Sequence, residues 1–285
     1  MQVLLGILFV VGCVFGGFIL HGGALGAIWQ PTEILIIVGA AVGALVMGNP
    51  KHVLFEMFAQ IKQMCVSGKN GGEFQRQLLL LLYELLEMVR DGGLKALDQH
   101  VEDPEESAVF QKYPLILGER KLTAFIVDNF RLMAMGRISP HELEGMLDHE
   151  IEAIERELLQ PSKSLGKIAE AMPGFGILAA VLGIVTTMGN IGESVAEVGV
   201  QVAAAMVGTF MGILLCYGLL EPLCSAMVQR VKATISSFEC VKLVLCAQVA
   251  GKPTLLAVDA GRKLIQLDVK PSFATLEGWI TNLDM

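Results

Sequence analysis

The stretch VGVQVAAAMVGTFMGILLCYGLL, Val198 to Leu220, contains no Asp, Glu, Lys, Arg or His from end to end. A bilayer core of ~30 Å is crossed by roughly 20 apolar helical residues. Within hydrocarbon a lone segment satisfies every backbone N–H and C=O only as a helix. The stretch therefore reads as a membrane span. Three more uncharged stretches, Met1 to Thr32, Ile34 to Pro50 and Ala171 to Gly192, read the same way, with Glu33 placed at the headgroups. The chain is predicted to be all-α, a polytopic membrane protein with four transmembrane helices and a helical domain between the second and third.

Sidedness follows from the basic residues. All 21 Lys and Arg fall in Lys51 to Lys167 and Arg230 to Lys270, whereas the connectors His21 to Glu33 and Asn190 to Glu197 hold none. By the positive-inside rule both termini and the segment Lys51 to Lys167 are cytoplasmic. The predicted organisation is 1–50 for the first two spans, 51–167 for a cytoplasmic domain, 168–222 for the third and fourth spans and 223–285 for a cytoplasmic tail. The first ten residues carry no basic side chain and no small-x-small site follows, so the first span is expected to stay in the mature protein.

With a net charge of −8 and no basic patch, the chain is a poor ligand for nucleic acid. Its six cysteines form neither a C-x-x-C nor a Cys/His metal spacing and read as reduced, apolar space fillers. No phosphate loop, nucleophile elbow or zinc motif is present, so neither an enzyme nor a cofactor or metal site is expected.

Small residues recur at about four-residue spacing in every span: Gly12 with Gly16, Gly39 with Gly43, Ala179 or Ala180 with Gly183, and Ala204, Gly208 and Gly212. Helices in lipid associate by close backbone approach, so these rows are expected to mark helix-to-helix faces. None of the four spans holds an Asp, Glu or His in its interior, and Thr186, Thr187, Asn190, Gln201, Thr209 and Tyr217 supply the polar groups of the last two. Hydroxyls line a path but do not store a proton near neutral pH. If ions move here, the titrating carboxylate comes from a partner. Pro173 and Pro222 bracket the same two spans, either as a first-turn proline and a stop or as joints between membrane and cytoplasm.

In the cytoplasmic part, Gln75 to Arg90 and Lys121 to Met135 have helical apolar spacing. Ser139-Pro140-His141-Glu142 is a capping box opening a helix with Leu143, Met146, Leu147, Ile151, Ile154 and Leu158 on one stripe. Its acidic face, Glu144, Asp148, Glu152 and Glu155, reads as solvated. Arg90 to Pro104 reads as a protruding charged loop, with Arg90 and Asp98 as candidate partner contacts.

Ala205 to Leu214, AMVGTFMGIL, followed by Pro222, resembles the signature of the MotA family of flagellar motor stator subunits. Met172 to Val185, Glu102 to Ser107, Gly261 to Gln266 and Pro271 to Glu277 extend the likeness over essentially the whole chain. The resemblance implies a homo-pentamer in membrane lipid around a dimer of MotB, whose single helix brings the Asp. It also implies a proton or sodium flux that turns the ring against the rotor protein FliG. Pro173 and Pro222 match the coupling prolines, and Arg90 the rotor-facing arginine; Asp98 stands where that family commonly has Glu. Thr209 matches the hydroxyl beside the partner's Asp, within an ion pathway of Thr209, Ala180, Thr186, Thr187 and Met206. Sodium-driven relatives tend to carry Thr where this chain has Ala180, which removes a hard oxygen ligand and favours protons. The alternatives are a TolQ/ExbB-like energiser, against which two spans before Lys51 argue, and a self-sufficient transporter or passive scaffold.

Overall fold

The computed structural model describes residues 2–66, 71–135, 138–189 and 195–283. Among these the regular structure is entirely helical. Ten helices have nine residues or more: α1 Gln2–Leu20, α2 Pro31–Gly48, α3 Lys51–Val66, α4 Gly71–Gly92, α5 Arg120–Met135, α6 Pro140–Gly189, α7 Val195–Leu215, α8 Glu221–Val249, α9 Thr254–Arg262 and α10 Phe273–Thr281. Four helical runs, α1, α2, α6 and α7 continuing into α8, are long and apolar enough to cross a membrane. The chain is an all-α membrane protein.

The chain forms two compact units, one of Met1–Gly68 with Leu158–Arg230 and one of Lys69–Glu157 with Val231–Met285. The cuts fall inside α6 and α8, so each unit is assembled from segments far apart in sequence.

In the first unit, α2 shows the logic of its packing. Its buried residues Glu33, Ile37 and Ala41 recur every fourth position and so share one face. Ile37 and Ala41 join Ala169, Met172, Ala179 and Cys216 in one apolar core. A second core of Met57, Leu165 and Met227 lies against Leu45, Ile61, Leu223 and Cys224. Much of the remaining apolar surface is exposed, including Leu8, Phe9, Leu35, Met47, Ile177 and Val185, as expected of helices whose outer faces meet lipid or another subunit.

The glycine rows divide into two kinds. A methyl group added to Gly12, Gly16, Gly39 or Gly43 would touch nothing within 4 Å, so the expected contact faces of α1 and α2 are unpartnered inside the chain. Gly176, Gly183, Gly208 and Gly212 instead lie where α6 and α7 touch.

The 50-residue helix α6 departs from expectation. The helix that carries the third uncharged stretch begins well before Ala171: Pro161 and Pro173 both lie inside a continuous helix, so Pro173 is no first-turn proline. A proline there removes one i→i−4 hydrogen bond and crowds the preceding turn, a cost that packing on both sides of Pro173, at Met172 and Phe175, offsets.

In the second unit α4 is buried around most of its circumference: Leu78 to Leu82, Leu85 and Leu86 are all within the core. Each fully buried leucine contributes roughly 1.5–3 kcal/mol, so this row is a large part of what stabilises the unit. The capping box forms as predicted, with Ser139 Oγ accepting from Glu142 N–H at 3.2 Å and Glu142 Oε2 accepting from Ser139 N–H at 3.0 Å. Leu143, Leu147 and Ile151 are buried as expected, but Met146 is half exposed. The acidic face is only partly solvated, because Asp148 accepts from Lys242 Nζ at 2.7 Å. The tail is part of this core: Phe238 meets the Phe125 ring edge to face at 5.1 Å, and Val241, Val244 and Leu245 are fully buried.

Candidate functional site

Helices α6 and α7 cross with almost no side chain between them. A methyl group on Gly176 would fall 2.7 Å from the Gly208 carbonyl oxygen and 3.3 Å from Thr209 Cα; one on Gly212 would fall 2.6 Å from the Met172 carbonyl oxygen. Only glycine permits that approach, and dispersion between the two backbones is what holds helices together in lipid. Thr209 is thereby fixed directly opposite Gly176, half-buried, with Ala180 one turn further along the facing helix.

The other predicted pathway residues divide by exposure. Thr187 is buried and donates to the Gly183 carbonyl at 2.9 Å. Thr186 is exposed and donates to the same carbonyl at 2.7 Å. Both hydroxyl protons are thus spent on their own helix. Met206, three residues before Thr209 and on the same side of α7, is 68% exposed. Asn190 lies outside the described residues.

Glu33, in the first turn of α2, is buried within the chain, with 7% of its surface exposed. Its carboxyl enters the space opened by two glycines of the crossing: methyl groups on Gly183 and Gly208 would lie 3.2 Å from Oε1 and 2.7 Å from Oε2. Oε2 is fully buried and has no hydrogen-bond partner. Four-residue spacing with Ile37 and Ala41 was the signal that could have placed Glu33 on the inward face.

Pro222 is the second residue of α8 and comes after a single π-helical turn, Cys216–Leu220, in which the Glu221 N–H bonds to the Cys216 carbonyl five residues back. A proline cannot donate to the carbonyl four residues before it, here that of Gly218, and the widened turn is how the helix accommodates the loss. α1 covers this turn, since a methyl group on Gly218 would meet Val10 Cγ1 at 3.2 Å.

In the second unit, Arg90 lies in the last turn of α4 with its side chain 61% exposed. Its Nη1 donates to Glu87 Oε1 at 2.8 Å and its Nε to Asp91 Oδ1 at 3.2 Å. The hydrogen bond to Asp91 and the charge of Glu87 hold the guanidinium above its usual value, so Arg90 stays cationic at all relevant pH. The segment after Arg90 is not a protruding loop. A 3₁₀ turn at Leu94–Leu97 and a short helix at Asp98–Glu102 fold back, burying Leu97 and Val101, and Arg131 Nη2 donates to the Val101 carbonyl at 2.7 Å. Apolar residues at 97 and 101 flanking the charges explain the docking. Asp98 begins that helix, and its side chain lies outside the described residues.

The crossing, the interior carboxyl and the π turn all belong to helices long and apolar enough to cross a membrane or to segments packed against them. Residues 4–93 match the model of the motility protein A N-terminal region, and residues 119–240 that of the MotA/TolQ/ExbB proton channel family. The chemotaxis protein LafT of Vibrio parahaemolyticus is 56% identical over 280 residues, covering 98% of each chain. Motility protein A of Salmonella typhimurium is 39% identical over 277 residues, covering 97% of this chain and 94% of its own. Among solved structures, MotAB of C. jejuni superposes with a TM-score of 0.74 at 18% identity, covering 94% of this chain and 96% of that one. The flagellar MotAB stator complex of Bacillus subtilis does so at 0.70 and 20% identity, covering 96% and 98%. The chain belongs to the MotA family, and the match of its N-terminal region separates it from the TolQ/ExbB-like alternative.

Proposed function

We propose that this chain is the ring-forming stator subunit of a bacterial flagellar motor. In this reading it sits in the inner membrane with both termini cytoplasmic, and with a single-helix MotB-type partner it converts a proton flux into torque on the rotor protein FliG. The observation that carries the reading is the glycine-lined α6/α7 crossing, which holds Thr209 opposite Gly176, one helical turn from Ala180, in two uncharged stretches. A partner helix carrying an Asp finds there a hydroxyl to bond and a smooth wall to slide past.

Five copies around two partner helices is the assembly that the family likeness implies, and the unpartnered glycine faces of α1 and α2 support further copies packing there. Protonation of the partner's Asp removes its charge and so its attraction to the Thr209 hydroxyl and the backbone dipoles around it. Pro173 and Pro222 each lack the N–H that a regular turn would use, so α6 and α8 bend cheaply at these positions in response. Ala180 supplies no oxygen to a partly dehydrated sodium ion, so the transported ion is a proton. The domain organisation in this reading is 1–50 and 168–222 in the membrane, 51–167 and 223–285 in the cytoplasm, with Arg90 and Asp98 facing the rotor.

The test is a strain lacking its own stator and supplied with this chain and its partner. Swimming that persists when potassium replaces sodium, and stops with a protonophore, is the expected result. Sodium-dependent speed overturns the proton assignment, and no motility at all overturns the stator reading.

A further inference from the structure

Glu33 is built into the first unit in a way that no structural role accounts for. A buried carboxylate that serves structure is met by a cation or by N–H donors. Here α6 and α7 each give up a side chain, at Gly183 and Gly208, to make room for the carboxyl, and yet Oε2 has no hydrogen-bond partner. The hydroxyls nearest in sequence to Gly183 are already spent on its carbonyl oxygen. Gly183 and Gly208 face the carboxyl, and Ala205 and Ala179, packed against those two glycines, do not titrate either. On the elements packed around it the ionisable groups are remote. Glu197 lies eleven residues before Gly208 and Cys216 eight after it, about 16 and 12 Å along a helix. Glu170 lies thirteen residues before Gly183, about 20 Å, and the short helix Leu25–Ile28 has none.

A site that offers space but no counter-charge accepts a carboxyl group in its neutral form. The first turn of α2, where Glu33 stands, offers an anion partial stabilisation through the helix dipole. Both states are thus provided for by different parts of the surroundings. Glu33 is also the last residue of the connector His21 to Glu33, which carries no Lys or Arg, and lies against Gly208, the residue preceding Thr209. We infer that Glu33 is a proton-binding station of this chain's own. Its carboxylate takes a proton from hydronium on the connector side, one hydronium O–H bond breaking to leave water. The new O–H bond then breaks as the proton passes to the carboxylate that the partner brings to Thr209, which becomes the neutral acid while the Glu33 anion is regenerated.

This inference rests on the stator reading, and the experiment separates the two. Cells whose only stator is this chain with its partner are followed for swimming speed as external pH is varied at constant cytoplasmic pH. The variants are Glu33→Gln, which keeps shape but not titration, and Glu33→Asp, with membrane levels of the complex measured in each. Glu33→Gln is expected to assemble at wild-type levels, lose at least half of its speed and lose the pH dependence on the external side; Glu33→Asp is expected to keep motility with the pH curve displaced. A Glu33→Gln strain with wild-type speed and pH curve overturns the inference while leaving the stator reading intact. If Glu33→Gln does not assemble, Glu33→Asp decides: an undisplaced curve overturns the inference. A wild-type chain that confers no motility fails the underlying reading instead.

Discussion

At the scale of single residues the crossing of α6 and α7 is held by atoms that are missing. Gly208 faces Glu33 Oε2 at 2.7 Å, the Gly176 carbonyl at 3.2 Å and Ala179 Cβ at 3.3 Å, measured from where its methyl group would be. Gly208→Ala is therefore expected to destabilise the detergent-solubilised complex by about 1–3 kcal/mol, read as a lower Tm. Because the nearest obstruction is a side chain, Glu33→Ala in the same chain should return part of that loss. Strict additivity of the two changes would show that the carboxyl does not occupy the space. Thr209→Val, similar in volume, should leave assembly unchanged and reduce torque severalfold, roughly what one ordinary hydrogen bond of about 1 kcal/mol is worth. Full torque in a bead assay would reduce Thr209 to a packing residue. The sequence made Thr209, Ala180 and the glycine rows legible, since each stands in a recognisable uncharged run. It hid Glu33, because one acid beside Pro31 reads as a headgroup residue until its four-residue register with Ile37 and Ala41 is seen to be the inward face.

At the scale of elements, helix ends and breaks carry the information. The capping box at Ser139 was legible to the residue because its hydrogen bonds are local. The length of α6 was not, since a proline inside a helix is survivable when packing on both sides restores what the backbone loses, and that packing is long-range. The C-terminal segment was unreadable for the same reason: α9 approaches α8 at Gly261, where a methyl group would lie 2.5 Å from Val244 Cγ2 and 2.7 Å from the Cys240 carbonyl. Arg262 then pins the end of α9, bonding Asp259 Oδ1 at 2.7 Å and the Pro271 carbonyl at 2.9 Å. Burial opposes ionisation of Asp259, but its hydrogen bonds with Arg262 and Lys263 outweigh that and hold the carboxyl below its usual 3.8. A depressed carboxyl stabilises the fold above its ordinary value, and the contribution disappears as pH falls through the lower folded value. Asp259→Asn should thus lower Tm at pH ~7, by the equivalent of about 1–3 kcal/mol, and the gap to wild type should close below pH ~4. A gap that persists in acid would assign the loss to geometry. Pro222→Ala makes the opposite separation: restoring an N–H for the Gly218 carbonyl should leave Tm equal or higher, while motility falls because the π turn is no longer required.

At the scale of the molecule, the stator reading needs the second unit to meet a rotor, and Arg90 is the residue on which that can be tried. Its pairs with Glu87 and Asp91 are local and exposed, and exposed pairs contribute at most ~1 kcal/mol, so removing them should not disturb folding. What Arg90 offers a partner is a fixed positive charge at the rim of α4, and rim charges act on orientation and association rate. A neutral Arg90→Ala should then cost little motility. Arg90→Glu turns attraction into repulsion and adds a third acid beside Glu87 and Asp91, so it should nearly abolish swimming while the chain still reaches the membrane at normal levels. The comparison that matters pairs Arg90→Glu with rotors whose facing charges have been reversed. Recovery of motility in one of those pairings, and its absence in the same rotors with the wild-type chain, is the outcome expected of a direct electrostatic contact. Failure of every reversed rotor to restore swimming, or loss of Arg90→Glu from the membrane, would assign Arg90 to the stability of the α4 terminus instead.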